Sequence, residues 1–189
     1  MPPWPTNLDR ARELLIEAGY NPTPGEPGGF STNIWWNIPN AQREQVAEMT
    51  AFILAQLNID VEIVAIEWAA FLAGTERGEQ GMYILGQAPG TGDADNALWG
   101  VFHSTSSGAA GNRAFFGDPQ VDALLEAARS ELDPAQRLAL YAEAQEIIRY
   151  QSPWVFIAQG AHLFATVHNL EGLVLNPAGL HNWTPVWFS

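Results

Sequence analysis

The residues of this sequence best suited to chemistry are two carboxylates in a glycine-rich stretch, residues 86–113. Asp93 and Asp95 stand two positions apart. They could work as an acid/base pair in a hydrolase, hold a cation as hard oxygen ligands, or hold a ligand's ammonium group. They could instead brace the loop by accepting backbone N–H bonds. Calcium is disfavoured, because His103 stands where an EF-hand loop requires glutamate, seven positions after Asn96.

Hydrogen-bonding side chains flank these carboxylates along the chain. Arg113 follows Asn112 after a run of small residues, and its guanidinium could clamp a ligand carboxylate bidentately. An ion pair with one of the chain's own acids is the alternative. Gln87 and Thr91, with Ala88 between them, could contact a ligand backbone or merely satisfy the loop's own polar groups. We therefore predict a binding loop here.

Motifs for metal or nucleophilic catalysis are missing from the sequence. The four histidines show neither an i, i+4 pair nor H-E-x-x-H, and there is no G-x-S-x-G elbow or P-loop. Serines beside His103 do not make a triad, because sequence neighbours rarely assemble one. Cysteine is absent, which excludes disulfides and thiolate metal sites. We expect no cofactor, no metal and no enzymatic activity.

Composition narrows the class of protein. The 189 residues are 47% hydrophobic and 15% charged, which is typical of a globular chain. The net charge is −13, and all eight basic residues are arginine. Nucleic acid is thus not an expected partner, because phosphate binding needs clustered cations. Residues 1–5 lack the basic and apolar regions of a signal peptide, and we interpret the chain as a piece of a longer protein.

The first half of the chain alternates between helical and strand patterns. This alternation predicts crossover units and a largely parallel sheet. Trp35 and Trp36 are adjacent in a predicted strand, so they must point to opposite faces, one towards the core and Trp35 towards a cleft. The predicted elements are a helix from Asn7 to Gly19, strand Phe30–Ile38, helix Ala41–Leu57 (with Val46, Met49, Ile53 and Leu57 on its buried face), strand Val61–Ile66, helix Glu67–Ala73 and strand Met82–Leu85.

In the second half, two Asp-Pro pairs each predict a helix start, with Asp118 and Asp133 as N-caps. Gln136 is placed to complete a capping box at the second start. The buried faces are predicted to be Val121, Leu124, Leu125 and Ala128 on the first helix, and Leu138, Tyr141, Gln145 and Ile148 on the second. Strands are predicted at Trp154–Ala158, Leu163–Val167 and Leu173–Leu175.

The order of these pieces resembles the C-terminal half of the family 5 solute-binding proteins of ABC transporters. This resemblance implies an α/β fold, with a mixed, largely parallel sheet flanked by helices. It would be the second lobe of a two-lobed, periplasmic-binding-protein-like molecule of type II. The segments that carry the resemblance are ARELLIEAGY (11–20), VEIVAIEWAAFL (61–72), LGQAPGTGDADNALWGVFHS (85–104), GNRAFFGDPQVDALLEAA (111–128), DPAQRLALYAEAQEIIRYQSPWVFI (133–157) and NLEGLVLNPAGLHNW (169–183).

The resemblance also implies a function. Such a protein is the substrate-binding component of an ABC importer, periplasmic or extracellular, lipid-anchored or secreted. It closes its hinge on an oligopeptide, dipeptide or glutathione-like ligand and passes the ligand to a membrane permease. Residues 1–171 would form the second lobe, and residues 172–189 would return to pack on the missing first lobe. The implied ligand-binding residues are Trp35, Gln87, Ala88, Thr91, Asp93, Asn112 and Arg113.

One departure from the family pattern concerns the ligand's amino group. Dipeptide binders of this family hold that group with an aspartate three residues before the Asp93 position, where this chain has Gly90. A missing carboxylate removes a charge-assisted contact worth about 1.5–3 kcal/mol when desolvated. The amine could pass to Asp93 or Asp95, or the ligand could lack a free amine there. A stand-alone hydrolase using Asp93 and Asp95 as an acid/base pair is the alternative function.

Overall fold

The computed structural model describes residues 4–88, 90–160, 163–176, 179 and 181–189. The proline-rich start (residues 1–3) and His162 lie outside this described part. Its helices and strands are α1 (Leu8–Glu17), β1 (Phe30–Ile38), α2 (Ala41–Ala55), β2 (Ile59–Glu67), α3 (Trp68–Arg77), β3 (Met82–Tyr83), α4 (Ala94–Phe102), α5 (Pro119–Ser130), α6 (Pro134–Gln151), β4 (Leu170–Glu171) and β5 (Trp187–Phe188).

The chain divides into two compact units. The first unit comprises residues up to Gly86 together with Ser107–Phe115, and the second comprises Gln87–Ser106 and Phe116–Ser189. The first therefore holds the long strands, and the second holds α4, α5 and α6.

A parallel sheet of strand order β2-β1-β3 forms the centre of the first unit. β1 and β2 pair along their whole length, from Phe30 opposite Ile59 to Ile38 opposite Glu67. Parallel neighbours need a crossover connection, which α2 supplies between β1 and β2. The predicted parallel α/β arrangement is confirmed. Ile34, Trp36 and Ala47 make the buried cluster under the sheet, with Val61, Met82 and Ile84 packed against it.

α2 packs on this sheet through a different face from the one predicted. Ala47 is its fully buried residue, whereas Met49 is 59% exposed. A small side chain lets the helix backbone approach the sheet closely, so the helix is rotated towards Ala47. The face predicted from Val46, Met49, Ile53 and Leu57 is therefore wrong at Met49, although Leu57 is buried.

α3 is longer than predicted. The Glu67 side chain caps its start by accepting from the Ala69 N–H at 2.8 Å. The helix continues through Gly74, where the absence of a side chain lets the ring of Trp35 approach closely. It ends at Gly78, which takes the left-handed conformation with φ 71°. The predicted end of this helix at Ala73 is therefore wrong, because Gly74 serves packing and Gly78 serves termination.

The two Asp-Pro helix starts in the second unit are confirmed. Asp118 accepts from the backbone N–H of Val121 at 3.0 Å, and Asp133 accepts from that of Gln136 at 2.9 Å. The predicted capping box is wrong in one partner, since the N–H of Asp133 donates to Glu131 Oε1 at 2.8 Å. An acid two residues before the cap replaces the expected Gln136 side chain.

Where α5 and α6 pack together, the buried residues recur every three or four positions along each helix. Val121, Leu125, Ala128, Tyr141, Ala144 and Ile148 are buried there. The predicted face of α6 is wrong at Leu138, which is 69% exposed, and at Gln145, which is also exposed. Ala144 takes the buried position instead, because a small residue permits close helix approach.

Two of the predicted C-terminal strands are absent from the described residues. Trp154–Ala158 and Leu163–Val167 have no regular structure, and Val155 and Leu163 are 84% and 94% exposed. Apolar composition makes a strand only where another strand offers an edge for pairing. The third prediction is displaced: Leu170–Glu171 pairs antiparallel with Trp187–Phe188, while Leu173–Leu175 contributes only the isolated bridge from Val174 to Asn182.

Candidate functional site

The glycine-rich stretch contains a helix that was predicted as loop. α4 begins directly after Asp93, whose Oδ1 accepts from the backbone N–H of Asp95 at 2.8 Å. Asp93 is thus an N-cap, a role that aspartate favours. A signal for it was present in the sequence, because Leu98, Val101 and Phe102 follow the cap at helical spacing.

Asp93 is also held by an arginine that sequence reasoning missed. Arg137 Nη1 donates to Asp93 Oδ2 at 3.0 Å, and Nη2 donates to Oδ1 at 2.8 Å. The same side chain donates from Nε to the Ala128 carbonyl oxygen at 3.1 Å and from Nη2 to the Tyr141 hydroxyl at 3.1 Å. Arg137 lies 44 residues after Asp93, so no local motif could have paired them.

These bonds keep Asp93 ionised. The Arg137 hydrogen bonds, followed by the Asp95 backbone N–H, lower the pKa of Asp93 to about 2. The pKa of Arg137 is raised, chiefly by Asp93. Burial raises the pKa of Tyr141. A general acid working near neutral pH needs a raised carboxyl pKa, so the shift at Asp93 runs opposite to what an acid catalyst requires.

Asp95 has an arginine partner of its own. Arg129 Nε lies 2.9 Å from Asp95 Oδ1, and its guanidinium carbon lies 3.8 Å from the centroid of the Trp99 ring. The other partner of that ring is His103, stacked at 3.8 Å between centroids. The Trp99 ring is therefore in contact with both a guanidinium and an imidazole.

His103 belongs to the packing of this second unit. It is 2% exposed, and its Nδ1 accepts from the Thr105 N–H at 3.2 Å. Its Nε2 lies 3.4 Å from Glu126 Oε1. The neighbouring Ser104 donates its backbone N–H to Asp122 at 2.9 Å. These contacts give His103 and Ser104 a structural role.

The loop before α4 faces solvent. Gln87, Ala88 and Thr91 are exposed, as is Gly90 between them. Thr91 Oγ1 accepts from the backbone N–H of Asp93 at 3.3 Å, which joins the loop to the helix cap. Four of the predicted site residues, Gln87, Ala88, Thr91 and Asp93, therefore lie on one short segment of the second unit.

The remaining predicted residues lie in the first unit, around α3. Arg113 Nη2 lies 2.8 Å from Glu76 Oε1, with only 14% of its side chain exposed. Asn112 is fully buried. Trp35 is half-buried against Gly74 on the sheet face opposite Trp36, so the two tryptophans point apart as predicted. For Arg113, the geometry matches the internal ion pair that was its alternative reading.

Two kinds of site are absent from the described residues. No group of three or more His, Cys, Asp or Glu side chains is arranged to hold a metal ion in the part of the chain that the structure covers. In that same part, no helix combines the length and the apolar character needed to cross a bilayer.

A match to a family of known proteins places the chain in a class. Residues 1–109 match the profile of the bacterial extracellular solute-binding proteins, family 5, middle region. The chain belongs to this family, whose members are binding proteins.

Particular relatives extend the match to most of the chain. It is 37% identical to the glutathione-binding protein GsiB of Salmonella choleraesuis, over 93% of this chain and 34% of that protein. A dipeptide-binding protein of Pseudoalteromonas sp. SM9913, solved with Met-Leu, superimposes with a TM-score of 0.82 at 29% identity, over 97% of this chain and 36% of that one. The periplasmic binding protein DppA of Helicobacter pylori, solved with peptide STSA, gives 0.71 at 32%, over 82% and 29%.

These relatives have the same fold as this chain, and their lengths show how much of that fold the chain contains. The parallel-sheet α/β architecture is that of the periplasmic binding proteins. The chain spans about a third of the length of the relatives that it matches.

Proposed function

We propose that this chain is part of the substrate-binding component of an ABC importer for peptide-like ligands. The observation that carries the proposal is the 37% identity to a glutathione-binding protein over 93% of the chain. Solved structures with Met-Leu and peptide STSA support the same ligand class. Glutathione, a dipeptide or a short oligopeptide is therefore the expected ligand, with a membrane permease as the receiving partner.

The exposed residues of the loop before α4, Gln87, Ala88 and Gly90–Gly92, are the proposed ligand contact in the second unit. Their side-chain amide and hydroxyl, on Gln87 and Thr91, and their backbone groups match the donors and acceptors of a peptide. Trp35, Asn112 and Arg113 remain predicted contacts from the first unit. To clamp a ligand carboxylate, Arg113 would have to divide its guanidinium between Glu76 and the ligand, or give up its ion pair with Glu76.

The C-terminal segment presents exposed apolar side chains, although its last strand pairs with Leu170–Glu171 and it belongs to the second compact unit. In this segment, Val174, Trp183, Trp187 and Phe188 are each more than half exposed. Apolar side chains of this size are commonly covered in a complete protein. We propose that residues 172–189 pack on another lobe of a longer receptor, exported from the cytoplasm and either secreted or lipid-anchored.

Nothing in the site favours the hydrolase alternative. Asp93 and Asp95 are each paired with an arginine, and the pKa of Asp93 is lowered. A working acid/base pair needs one carboxyl kept protonated near neutral pH.

Calorimetric titration of the full-length protein with glutathione and with Met-Leu tests the proposal. Saturable binding of one probe without its cleavage is expected. Thr91→Ala and Gln87→Ala should each weaken binding by about tenfold, the equivalent of one hydrogen bond of about 1.4 kcal/mol. Gln42→Ala, at an exposed position of α2, is the matched control and should change nothing. Binding of neither probe, or turnover of one, would refute the proposal.

A further inference from the structure

Arg137 touches three helices of its unit at once. It reaches the carboxylate that caps α4, the Ala128 carbonyl near the end of α5, and the Tyr141 hydroxyl on its own helix α6. Arginine has five N–H donors in a fixed fork, and these four hydrogen bonds use most of them. The side chain therefore fixes the start of α4 relative to both neighbouring helices.

The same bonds use three of the roughly four acceptor sites of the Asp93 carboxylate. Oδ1 accepts from Arg137 Nη2 and from the Asp95 N–H, and Oδ2 accepts from Arg137 Nη1. A ligand ammonium approaching Asp93 would meet a guanidinium already about 3 Å from both oxygens. Like charges so close disfavour each other, so the Arg137 guanidinium opposes the binding of an ammonium at Asp93.

We propose that Arg137 is a positioning residue for ligand binding, acting through Asp93, and that Asp93 does not itself touch the ligand. Together they hold the beginning of α4 and, through the Asp93 N–H to Thr91 contact, the loop before it, of which Gln87, Ala88 and Gly90–Gly92 are exposed. The inference rests on the proposed function of that loop. Because this loop contains no charged side chain, it would take peptide-like ligands without requiring a free amino group there.

A double-mutant cycle tests this role in the full-length protein, with Asp93→Asn, Arg137→Gln and the two combined. Asparagine keeps the helix cap, since it is as good an N-cap as aspartate. Affinities for glutathione, Met-Leu and N-acetyl-Met-Leu are measured by calorimetry, and amide exchange is followed at Asp95 and Ala97. If Asp93 acts only through Arg137, all three variants weaken every bound probe by the same factor, about tenfold, and the double variant adds nothing further.

Amide exchange is the readout that locates the effect. We expect the Asp95 and Ala97 amides to exchange about tenfold faster in each variant, because their acceptors on Asp93 lose their anchor. Arg12→Gln is the control, since it removes an exposed arginine paired with Asp9 on α1, and it should leave affinity and these amides unchanged.

Three outcomes would overturn the inference. If Arg137→Gln tightens Met-Leu but not N-acetyl-Met-Leu, then Asp93 is a direct ammonium contact. If the wild type binds a probe and Arg137→Gln binds it equally well, the proposed function stands and the positioning role is refuted. If the wild type binds none of the probes, the proposed function fails, and the ligand role of Arg137 fails with it.

Discussion

Replacing Gly74 by alanine changes the stability of α3 in two opposing ways, through side-chain packing and through helix propensity. A β-carbon at Gly74 would overlap Trp35 Cζ3 and lie 3.0 Å from Cη2 and 3.1 Å from Glu79 Oε2. Ordinary carbon contacts are about 3.5–4.0 Å, so the indole must shift by roughly 1 Å. Overpacking of this kind costs about 1–3 kcal/mol, whereas alanine in place of a helical glycine gains about 1 kcal/mol. We therefore expect Gly74→Ala to lower the free energy of unfolding by up to about 2 kcal/mol.

Urea unfolding followed by tryptophan fluorescence measures this change. The native emission of the Gly74→Ala variant should also differ from wild type, because the Trp35 ring is the group that moves. Gly160→Ala is the control, since no atom lies within 4 Å of its added carbon, and it should stay within about 0.5 kcal/mol of wild type. If Gly74→Ala is instead stabilised by about 1 kcal/mol with unchanged emission, helix propensity alone governs the site and the close packing of Trp35 is refuted.

Three other predictions concern the second unit and the isolated chain. The Asp93 carboxyl should titrate with a pKa of about 2 by carbon NMR, and Arg137→Gln should raise this pKa. Because the folded pKa lies below the unfolded value of about 3.9, the ionised carboxylate stabilises the fold fully above pH 3.9. That stabilisation is lost as the pH falls through about 2. Asp133→Ala should destabilise by about 1 kcal/mol in urea unfolding through loss of the α6 cap, whereas Asp133→Asn should be nearly neutral. The 189-residue chain alone should show no calorimetric binding of glutathione at micromolar concentration, since it spans about a third of its relatives; tight binding would show that one lobe suffices.

Features encoded by neighbouring residues were predictable from the sequence. The caps at Asn7, Asp118 and Asp133 each depend on an oxygen and on N–H groups two or three residues later. Strand Phe30–Ile38 was predicted with its observed bounds, because β-branched and aromatic residues precede a proline. The family resemblance, which draws on many such segments together, was confirmed by the match to residues 1–109.

Features that depend on distant partners were not predictable in this way. Which face of α6 is buried depends on how closely Ala144 approaches α5, so periodicity alone does not predict the exposure of Leu138. The apolar run Trp154–Ala158 is a good strand pattern, but a strand also needs a neighbour's edge. At the candidate site the same limit applies to Arg137, whose partner Asp93 lies 44 residues earlier.

The carboxylates that first suggested chemistry show why residue type alone does not define a site. Asp93 and Asp95 open α4, where negative charge favours the helix N-terminus, and each is matched by an arginine, Arg137 on α6 and Arg129 on α5. These ion pairs hold the start of α4, and the backbone N–H of Asp93 donates to Thr91 in the uncharged loop that precedes the helix. A receptor gains affinity when its contacts are held in place before the ligand arrives, because less conformational entropy is lost on binding. Under the proposed function, the charge in this segment would serve ligand binding by holding the loop in place.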